Sequence, residues 1–549
     1  MSLTPGFKKF IGLIAVSAIV GGSLFAYKQG YFSKHIGSST GSSASSFSSN
    51  SNSSATPISP SAQTGDISAN KLAVSIVSFH GYAPILVANG NSLTTQPGSI
   101  IDKQGLKLTL NVQDDIPPLA TVFQSGKQCA WRTSDFWAQE QPNLRNAGLD
   151  GRVVMAVDNT QGADAIITKD PNINSVEDLA GKNIGLLQFT PSHGMTIDAI
   201  NNSSLSGKKK ASIHYTYIDA DQGTAGVRDA YVNNKVDAAV LWDPDLSLAL
   251  KSGGHVVYST KSATNLIYDV MVCDTRVIND PNGRQAIQKF VNGWMQGVTA
   301  AKADPDNAVD ALVQTEKLFS ALAQQQGKPF IKGLFSQLVW TGTDDNARIF
   351  GLVGGTNNYE RVYSEFDQIY RGAGALTNPN SPVIAPSDSI DYSFIKNVLA
   401  ADPQAQKAAN VDPDKFTDAG RQAATKSALT KPVAINFMSG SAILDQKSKN
   451  TIDSQIVSFI ENNGSAYVEI SGNTDSVGSP IVNKHLSYAR AQVVANYLIT
   501  QWEIPNARLK VVGNGSTAPI CVEPGTSDGL TLDQCQAMNR TTRVGILTQ

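Results

Sequence analysis

The long helical pattern near the C-terminus carries a stripe of polar side chains. Asn483, Ser487 and Arg490 follow one another at spacings of four and three residues, so they point to one side of a helix. A planar guanidinium can hold a carboxylate through two parallel hydrogen bonds, and the carboxylate of Asp475, just before the helix, can hold an ammonium group. This chemistry suits a ligand that carries both charges.

The elements around the stripe are typical of an α+β domain at 431–549. Patterns of four strands and two helices follow one another, with strands at 434–437, 467–472, 509–512 and 542–547 and helices at 452–460 and 481–500. On the longer helix, apolar and small residues at helical spacing predict the core-facing side, namely Leu486, Ala489, Val493, Tyr497 and Leu498.

Four motifs in this domain resemble the OmpA-like peptidoglycan-binding family, and the resemblance covers nearly all of 431–549. They are Gly-Asn-Thr-Asp-Ser-Val-Gly at 472–478, Asn-Lys-His-Leu-Ser-Tyr-Ala-Arg-Ala at 483–491, Val-Val-Gly-Asn-Gly at 511–515, and Asn539-Arg540. The resemblance implies that peptidoglycan is a partner, with Asp475 and Arg490 gripping the diaminopimelate side chain of its stem peptide.

The resemblance also implies a set of peptidoglycan-binding residues, with Asp475 and Arg490 expected to be exposed in the empty site. The set is Thr474, Asp475, Asn483, Leu486, Arg490 and Arg540. The family commonly has a second arginine directly after the first, whereas Thr541 and Thr542 separate Arg540 from Arg543 here. Which of these two arginines approaches the stem peptide stays open.

Upstream of this domain, short β-rich runs alternate with helical stretches. The runs lie at 72–77, 106–112, 153–157, 165–168, 184–187, 213–218, 236–242 and 268–273. One of the intervening helices has a start signal at Ser175 and Asp178 and ends at Gly181. The alternation predicts an α/β fold of largely parallel sheets with helices on both faces.

Three strings in this region resemble the periplasmic solute-binding proteins of the nitrate, sulfonate and thiamine-precursor type, which serve ABC transporters. They are Gly-Ala-Asp-Ala-Ile-Ile-Thr-Lys at 162–169, Ser-Val-Glu-Asp-Leu-Ala-Gly-Lys-Asn-Ile-Gly at 175–185 and Val-Asp-Ala-Ala-Val-Leu-Trp-Asp-Pro at 236–244. The resemblance implies a two-lobed periplasmic binding protein fold at 71–370, with the second lobe at about 162–260. It also implies a small-molecule solute in the cleft and makes an ABC permease a candidate partner.

The expected solute contacts lie where strands give way to loops or helices, the edge at which open α/β sheets bind ligands. They are Ser78, His80, Ser134, Asp135, Thr190, Ser192, His193 and Trp242. Trp242 matches the aromatic wall of the family, with packing in the core as the alternative. Asp135 and Asp243 disfavour a purely anionic solute, so specificity for phosphate or sulfonate does not follow from the resemblance.

The N-terminal residues read as an export or anchoring signal. Lys8 and Lys9 precede an uncharged stretch at 10–27, which predicts a transmembrane helix within 1–30, with a cleaved signal peptide as the alternative. Composition predicts a Ser-rich flexible linker at 31–70 and a connector at 371–430. Together with the later domains, this predicts a cell-envelope protein anchored in the inner membrane, with periplasmic domains. The membrane partner of the helix is the cytoplasmic or an outer-envelope membrane.

The four cysteines are expected to behave as two different pairs. Cys521 and Cys535 bracket a Gly/Asp/Pro-rich loop and predict a disulfide suited to an oxidising envelope. Cys129 and Cys273 are expected to be two buried thiols, because spacing alone does not bring them together.

Several classes of function are disfavoured by the sequence. Lys and Arg number 44 against 46 Asp and Glu, so no nucleic-acid partner is expected. With six scattered His and no CxxC or HExxH, neither a metal nor another cofactor is predicted. There is no GxSxG elbow and no phosphate loop, so the protein is predicted not to be an enzyme. The alternative to a solute receptor is a structural envelope protein whose two-lobed domain is a ligand-free spacer or partner-docking unit.

Overall fold

The computed structural model describes residues 65–113, 116–410, 416–435, 437–438, 440–523 and 529–548. The predicted membrane helix at 10–27 and most of the predicted linker at 31–70 lie outside these residues. Among the helices of the described ranges, none is both long and apolar enough to cross a bilayer.

The strands form three separate sheets. In chain order they are β1 (Lys71–Val77), β2 (Lys107–Gln113), β3 (Cys129–Thr133), β4 (Gly151–Thr160), β5 (Asp164–Thr168), β6 (Asn183–Leu186), β7 (His214–Tyr217), β8 (Ala238–Trp242), β9 (His255–Ser259), β10 (Tyr268–Asp274), β11 (Leu338–Trp340), β12 (Lys426–Val433), β13 (Tyr467–Asn473), β14 (Leu509–Gly515) and β15 (Thr542–Thr548).

Helices connect most of these strands. The α-helices are α1 (Ala83–Ala88), α2 (Ile100–Lys103), α3 (Leu119–Gln124), α4 (Ser134–Asn146), α5 (Pro191–Asn201), α6 (Gly207–Ala211), α7 (Gly223–Val232), α8 (Asp245–Leu250), α9 (Thr275–Asn279), α10 (Pro281–Ala303), α11 (Pro305–Thr315), α12 (Lys317–Gln326), α13 (Lys328–Leu334), α14 (Thr343–Ile349), α15 (Asn358–Gly372), α16 (Ser393–Ala401), α17 (Pro403–Ala409), α18 (Asp418–Ala423), α19 (Gln446–Ile452), α20 (Ser458–Asn462), α21 (Pro480–Trp502) and α22 (Leu532–Asn539). A π-helical turn (Asp453–Val457) joins α19 to α20, and 3-10 turns lie at His80–Tyr82, Val176–Leu179, Ala220–Gln222, Phe335–Gln337, Pro386–Asp388 and Asn506–Arg508.

The first lobe is built on a six-stranded sheet in the order β11-β4-β10-β3-β1-β2. Leu72, Val74 and Ile76 alternate along β1 and are buried, as expected for one face of a strand. β1 is parallel to β2 and β3, whereas β10 is antiparallel to β3 and β4. The sheet is therefore less parallel than predicted, because the chain leaves it after β4 and re-enters from the second lobe at β10.

The second lobe is a five-stranded sheet in the order β7-β6-β8-β5-β9. β6 is parallel to β7 and β8, while β5 is antiparallel to β8 and β9. Two chain segments, one between β4 and β5 and the other between β9 and β10, join the lobes. Residues at the ends of these four strands therefore lie at the boundary between the lobes.

The C-terminal domain is a four-stranded sheet in the order β12-β15-β13-β14. The predicted strand at 434–437 is wrong, because β12 spans Lys426–Val433 and its pairing with β15 ends at Val433 opposite Thr542. Thr542 is the first residue of β15, so the chain beyond Val433 has no strand partner there. The strands predicted at 467–472, 509–512 and 542–547 are present as β13, β14 and β15.

Helix α21 buries a face that shares only Leu498 with the predicted one. Its buried residues are Asn483, Ser487, Ala491, Val494, Ala495 and Leu498. Two glycines explain the rotation: a Cβ on Gly472 would lie 2.0 Å from the Ser487 carbonyl oxygen, and a Cβ on Gly513 would lie 2.5 Å from the Tyr488 nitrogen. The helix packs against bare backbone there, which places the small and polar side chains against the sheet.

The connector at 371–430 is partly helical, as its Ala-rich stretches predict. Its described residues contain α16, α17, α18 and the start of β12. The carbonyl of Ser389 accepts hydrogen bonds from the Val153 nitrogen at 2.9 Å and from Trp137 Nε1 at 3.3 Å. This segment therefore packs onto the first lobe.

The C-terminal domain contacts both lobes of the preceding domain. Arg361 of α15 forms an ion pair with Glu461 at 3.3 Å. From the second lobe, the Tyr258 hydroxyl donates to Asn463 Oδ1 at 2.8 Å, and Glu177 Oε1 accepts from the Thr430 nitrogen at 3.0 Å. The described residues belong to one compact unit, Pro60–Gln549.

Both cysteine pairs are disulfides. The predicted Cys521–Cys535 bond is present, and the prediction of free thiols at Cys129 and Cys273 is wrong because these two are also bonded. Cys129 on β3 lies directly opposite Cys273 on β10. The return of the chain from the second lobe brings these residues together across a separation of 144 residues.

Candidate binding sites

The loop after β13 carries the acidic residue of the predicted peptidoglycan site. The Asp475 carboxylate forms an ion pair with Arg540 at 2.5 Å and accepts a hydrogen bond from the Val477 nitrogen at 3.2 Å. Its side chain is only 11% exposed, whereas that of Arg540 is 46% exposed. The expectation of an exposed Asp475 is therefore wrong, because Arg540 covers the carboxylate.

Arg490 lies on α21 and contacts a different loop. Its Nε donates to the Ser441 carbonyl at 3.1 Å, and its guanidinium lies 5.0 Å from the ring centroid of Phe437. Arg490 is half-buried, and this burial lowers its pKa. Among the described ion pairs, Asp475 is joined to Arg540 and not to Arg490.

The other residues predicted for this site lie around the same loop. Thr474 is buried and donates its backbone N–H to Gly515 at 2.8 Å. Asn483 is also buried and donates to the Val477 carbonyl at 3.0 Å, while Leu486 is half-buried. The structure thus brings Thr474, Asp475, Asn483 and Arg540 together.

The open choice between two arginines has a clear structural outcome. Arg540 precedes β15 and pairs with Asp475, whereas Arg543 is inside β15, opposite Ser471. Burial lowers the pKa of Arg543 to about 10. Arg540 is therefore the arginine that lies beside Asp475.

Sequence reasoning missed Glu523, which lies in the loop closed by Cys521–Cys535. Its carboxylate accepts hydrogen bonds from the Ser476 hydroxyl at 2.5 Å and from Asn539 Nδ2 at 3.1 Å. These bonds lower the pKa of Glu523 to about 2. No local motif marks Glu523, because the disulfide and Asn539 bring this loop beside the Asp475 loop.

The predicted solute contacts lie close to the boundary between the lobes, and several of them take part in hydrogen bonds there. Ser192 donates to Asp164 Oδ1 at 2.6 Å. The Tyr370 hydroxyl donates to the Thr190 carbonyl at 3.1 Å and lies 3.5 Å from Asp135 Oδ2. Tyr370 thus links Asp135 of the first lobe to Thr190 of the second. Ser134, next to Asp135, accepts from the Tyr268 nitrogen at 3.3 Å.

The two histidines of the predicted cleft are buried and neutral. Burial lowers the pKa of His80 to about 3 and that of His193 to about 4. His193 accepts from the Phe189 nitrogen at 2.9 Å. Trp242 is half-buried against the second-lobe core, and Ser78 is half-buried at the end of β1. In the structure His193 is buried and Trp242 packs against the second-lobe core.

Five aspartates gather at the same boundary, and sequence reasoning had singled out two of them, Asp135 and Asp243. We call them the boundary aspartates: Asp135, Asp158, Asp164, Asp243 and Asp269. All five are buried. Burial raises the pKa to about 6 for Asp164, about 7 for Asp135 and Asp243 and about 8 for Asp269, and it raises the pKa of Asp158 well above its ordinary value.

One further hollow, of about 600 Å³, lies on the outer side of the first lobe. It is lined by residues of α10, α14, α16 and α17, among them Asn292, Asp344 and Gln404. None of the predicted solute contacts lines it.

Comparison with known proteins confirms both resemblances noted in the sequence. Residues 436–526 match the OmpA family, and residues 103–308 match a family described as NMT1/THI5 like. The chain therefore carries an OmpA domain at its C-terminus, preceded by an NMT1/THI5-like domain.

Individual relatives and structures are similar to parts of the chain. A putative aliphatic sulfonates-binding protein of Escherichia coli (strain K12) is 26% identical over 164 residues, 30% of this chain and 46% of that protein. The chain thus matches less than half the length of this curated relative. The periplasmic aliphatic sulphonate binding protein SsuA from Escherichia coli has a TM-score of 0.44 and 14% identity over 60% of this chain and 99% of its own. The desulfurization enzyme DSZB has a TM-score of 0.39 and 14% identity, over 60% and 99%.

Proposed function

We propose that this protein is a cell-envelope receptor that holds peptidoglycan through its C-terminal domain and binds a small solute between its two lobes. The observation that carries the first half is the Asp475–Arg540 pair beside α21, within the OmpA match. The NMT1/THI5-like match and the boundary between the lobes support the second half. Inner-membrane anchoring through residues 1–30 and an ABC permease partner belong to the same proposal.

The wall-binding mechanism follows from the charges around Asp475. The free end of diaminopimelate presents an ammonium and a carboxylate. Asp475 can bind the ammonium group once the Arg540 side chain rotates away. The guanidinium groups of Arg490 and Arg540 can bind the carboxylate. Arg540 keeps the empty site neutral, which reduces the penalty of holding a buried carboxylate without a ligand.

Sedimentation of the full chain with purified peptidoglycan tests this proposal. Asp475→Asn and Arg490→Ala should each weaken binding by about 2–5 kcal/mol, the range for truncating one partner of a buried charge pair. Arg490→Lys should also weaken it, because a point charge does not reproduce a two-pronged contact.

The matched control is Lys426→Ala, which also removes one positive charge. Lys426 is exposed and lies opposite Thr548, at the far end of β15 from Arg540. It should bind like the wild type. Unchanged binding by both site variants, with circular dichroism unchanged, would refute the wall-binding site.

A structural spacer is the second candidate function, and the contacts of the C-terminal domain with both lobes favour it. Such contacts would hold the lobes in one arrangement with or without a solute. Small-angle scattering separates the two candidates: compaction on adding a solute supports a receptor, whereas unchanged dimensions and melting temperature across a metabolite panel support a spacer.

A further inference from the structure

The boundary aspartates come from both lobes and meet where the lobes join. Asp135, Asp158 and Asp269 belong to the first lobe, at the start of α4, near the end of β4 and near the start of β10. Asp164 begins β5, and Asp243 follows β8, in the second lobe. A solute enclosed between the lobes would therefore meet carboxylates on both sides.

Two of these aspartates face each other directly. Asp269 on β10 is the cross-strand partner of Asp158 on β4, and both are buried. Directly opposed residues of an antiparallel pair have Cβ atoms about 5 Å apart, and like charges there are destabilising. The fold therefore holds two carboxylates close together in a buried place.

The guanidinium on the strand next to β10 already has partners in the first lobe. Arg132, on the strand next to β10, is paired with Glu140 and donates to the carbonyls of Trp131 and Pro117 at 2.7 Å. Across the ion pairs of the described residues, none includes a boundary aspartate. Buried carboxylates normally have a partner cation or a full set of donors.

A separate observation concerns buried carboxylate oxygens at this boundary. Both oxygens of Asp158, Oδ1 of Asp135 and Oδ2 of Asp243 are buried and have no hydrogen-bond partner within the described structure. The Tyr82 hydroxyl is also fully buried and lies within hydrogen-bonding reach of Asp269. Burial, the charges of Asp269 and Asp158 and the hydrogen bond to Asp269 raise the pKa of Tyr82.

We infer that the solute carries a positively charged nitrogen group with several N–H donors, a primary ammonium or an amidinium, held by the boundary aspartates. This inference rests on the proposed solute-binding function. Several N–H bonds on one cation would satisfy the free carboxylate oxygens and offset the repulsion between Asp158 and Asp269. A sulfonate would add a negative charge to the same buried place. The described residues contain no group of three His, Cys, Asp or Glu able to hold a metal ion.

Calorimetric titration of the full chain with three cations, putrescine, agmatine and spermidine, and with ethanesulfonate tests this inference. At least one cation should bind, and ethanesulfonate should not. Asp158→Asn and Asp269→Asn should each weaken cation binding tenfold or more. Asp219→Asn, at an exposed aspartate of the second lobe, should leave it unchanged. Because the site variants remove buried repulsion, they should melt no lower than the wild type without ligand.

The outcomes separate this inference from the proposed function beneath it. Binding of ethanesulfonate without binding of any cation would overturn the cationic solute while retaining a solute receptor. Cation binding that survives both site variants would place the cation elsewhere and overturn the site. No binding by any of the four probes would overturn the inference, and an unchanged scattering profile across the metabolite panel would then overturn the receptor as well.

Discussion

Removing the Cys129–Cys273 disulfide should destabilise the two-lobed domain more than removing Cys521–Cys535 destabilises the C-terminal domain. The separations are 144 and 14 residues. Constraining the unfolded chain over such loops is worth about 5 and about 3 kcal/mol in the chain-entropy account. All four cysteines are buried, so double replacement by alanine removes similar packing from each site. The expected difference of about 2 kcal/mol therefore isolates loop length.

Urea unfolding followed by pulsed hydrogen exchange and mass spectrometry reports each domain separately. Tryptophan fluorescence checks the two-lobed domain, because of the six tryptophans only Trp502 lies in the C-terminal domain. Equal losses in the two double variants, or a larger loss from Cys521→Ala/Cys535→Ala, would refute the argument from loop length.

Three further predictions concern the boundary, the C-terminal core and the domain contact. The free energy of unfolding should fall between pH 6.5 and 8, because Asp135 and Asp269 have pKa values raised above those of the unfolded chain. The folded state therefore holds extra protons that it loses as the pH rises. A flat profile of unfolding free energy in denaturant titrations would contradict this. Gly472→Ala should destabilise the C-terminal domain by about 3 kcal/mol, since its Cβ would meet the Ser487 carbonyl, and an unchanged melting temperature would show that α21 adjusts freely. Arg361→Ala should weaken docking of the C-terminal domain by about 3 kcal/mol and widen the scattering profile, whereas an unchanged profile would show that the remaining contacts suffice.

The pH window of that prediction is set by the buried histidines. His80 and His193 have lowered pKa values, so their burial makes stability rise with pH up to the ordinary histidine value of about 6.5. Above that value these two histidines no longer change charge, whereas Asp135 and Asp269 still titrate. A fall in stability from pH 6.5 upward is therefore opposite in sign to the histidine contribution.

Patterns within short stretches were enough to predict some parts of this protein. The strand at 72–77, the loop at 472–478 and the Cys521–Cys535 pair each involve residues close along the chain, and the structure contains all three. The core face of α21 was missed because its packing depends on Gly472 and Gly513, which lie on neighbouring strands and have no apolar side chain to count.

The sequence by itself determined many of the strands and helices and the motif loops, because hydrophobic periodicity and turn residues act over a few positions. Only the tertiary structure decided which distant residues meet. Asp475 is covered by Arg540, Cys129 is bonded to Cys273, and Asp158 lies opposite Asp269. Each of these pairs depends on the order and register of the strands. Order and register are set when the chain returns from one sheet to another, and no pattern within a short stretch of sequence specifies them.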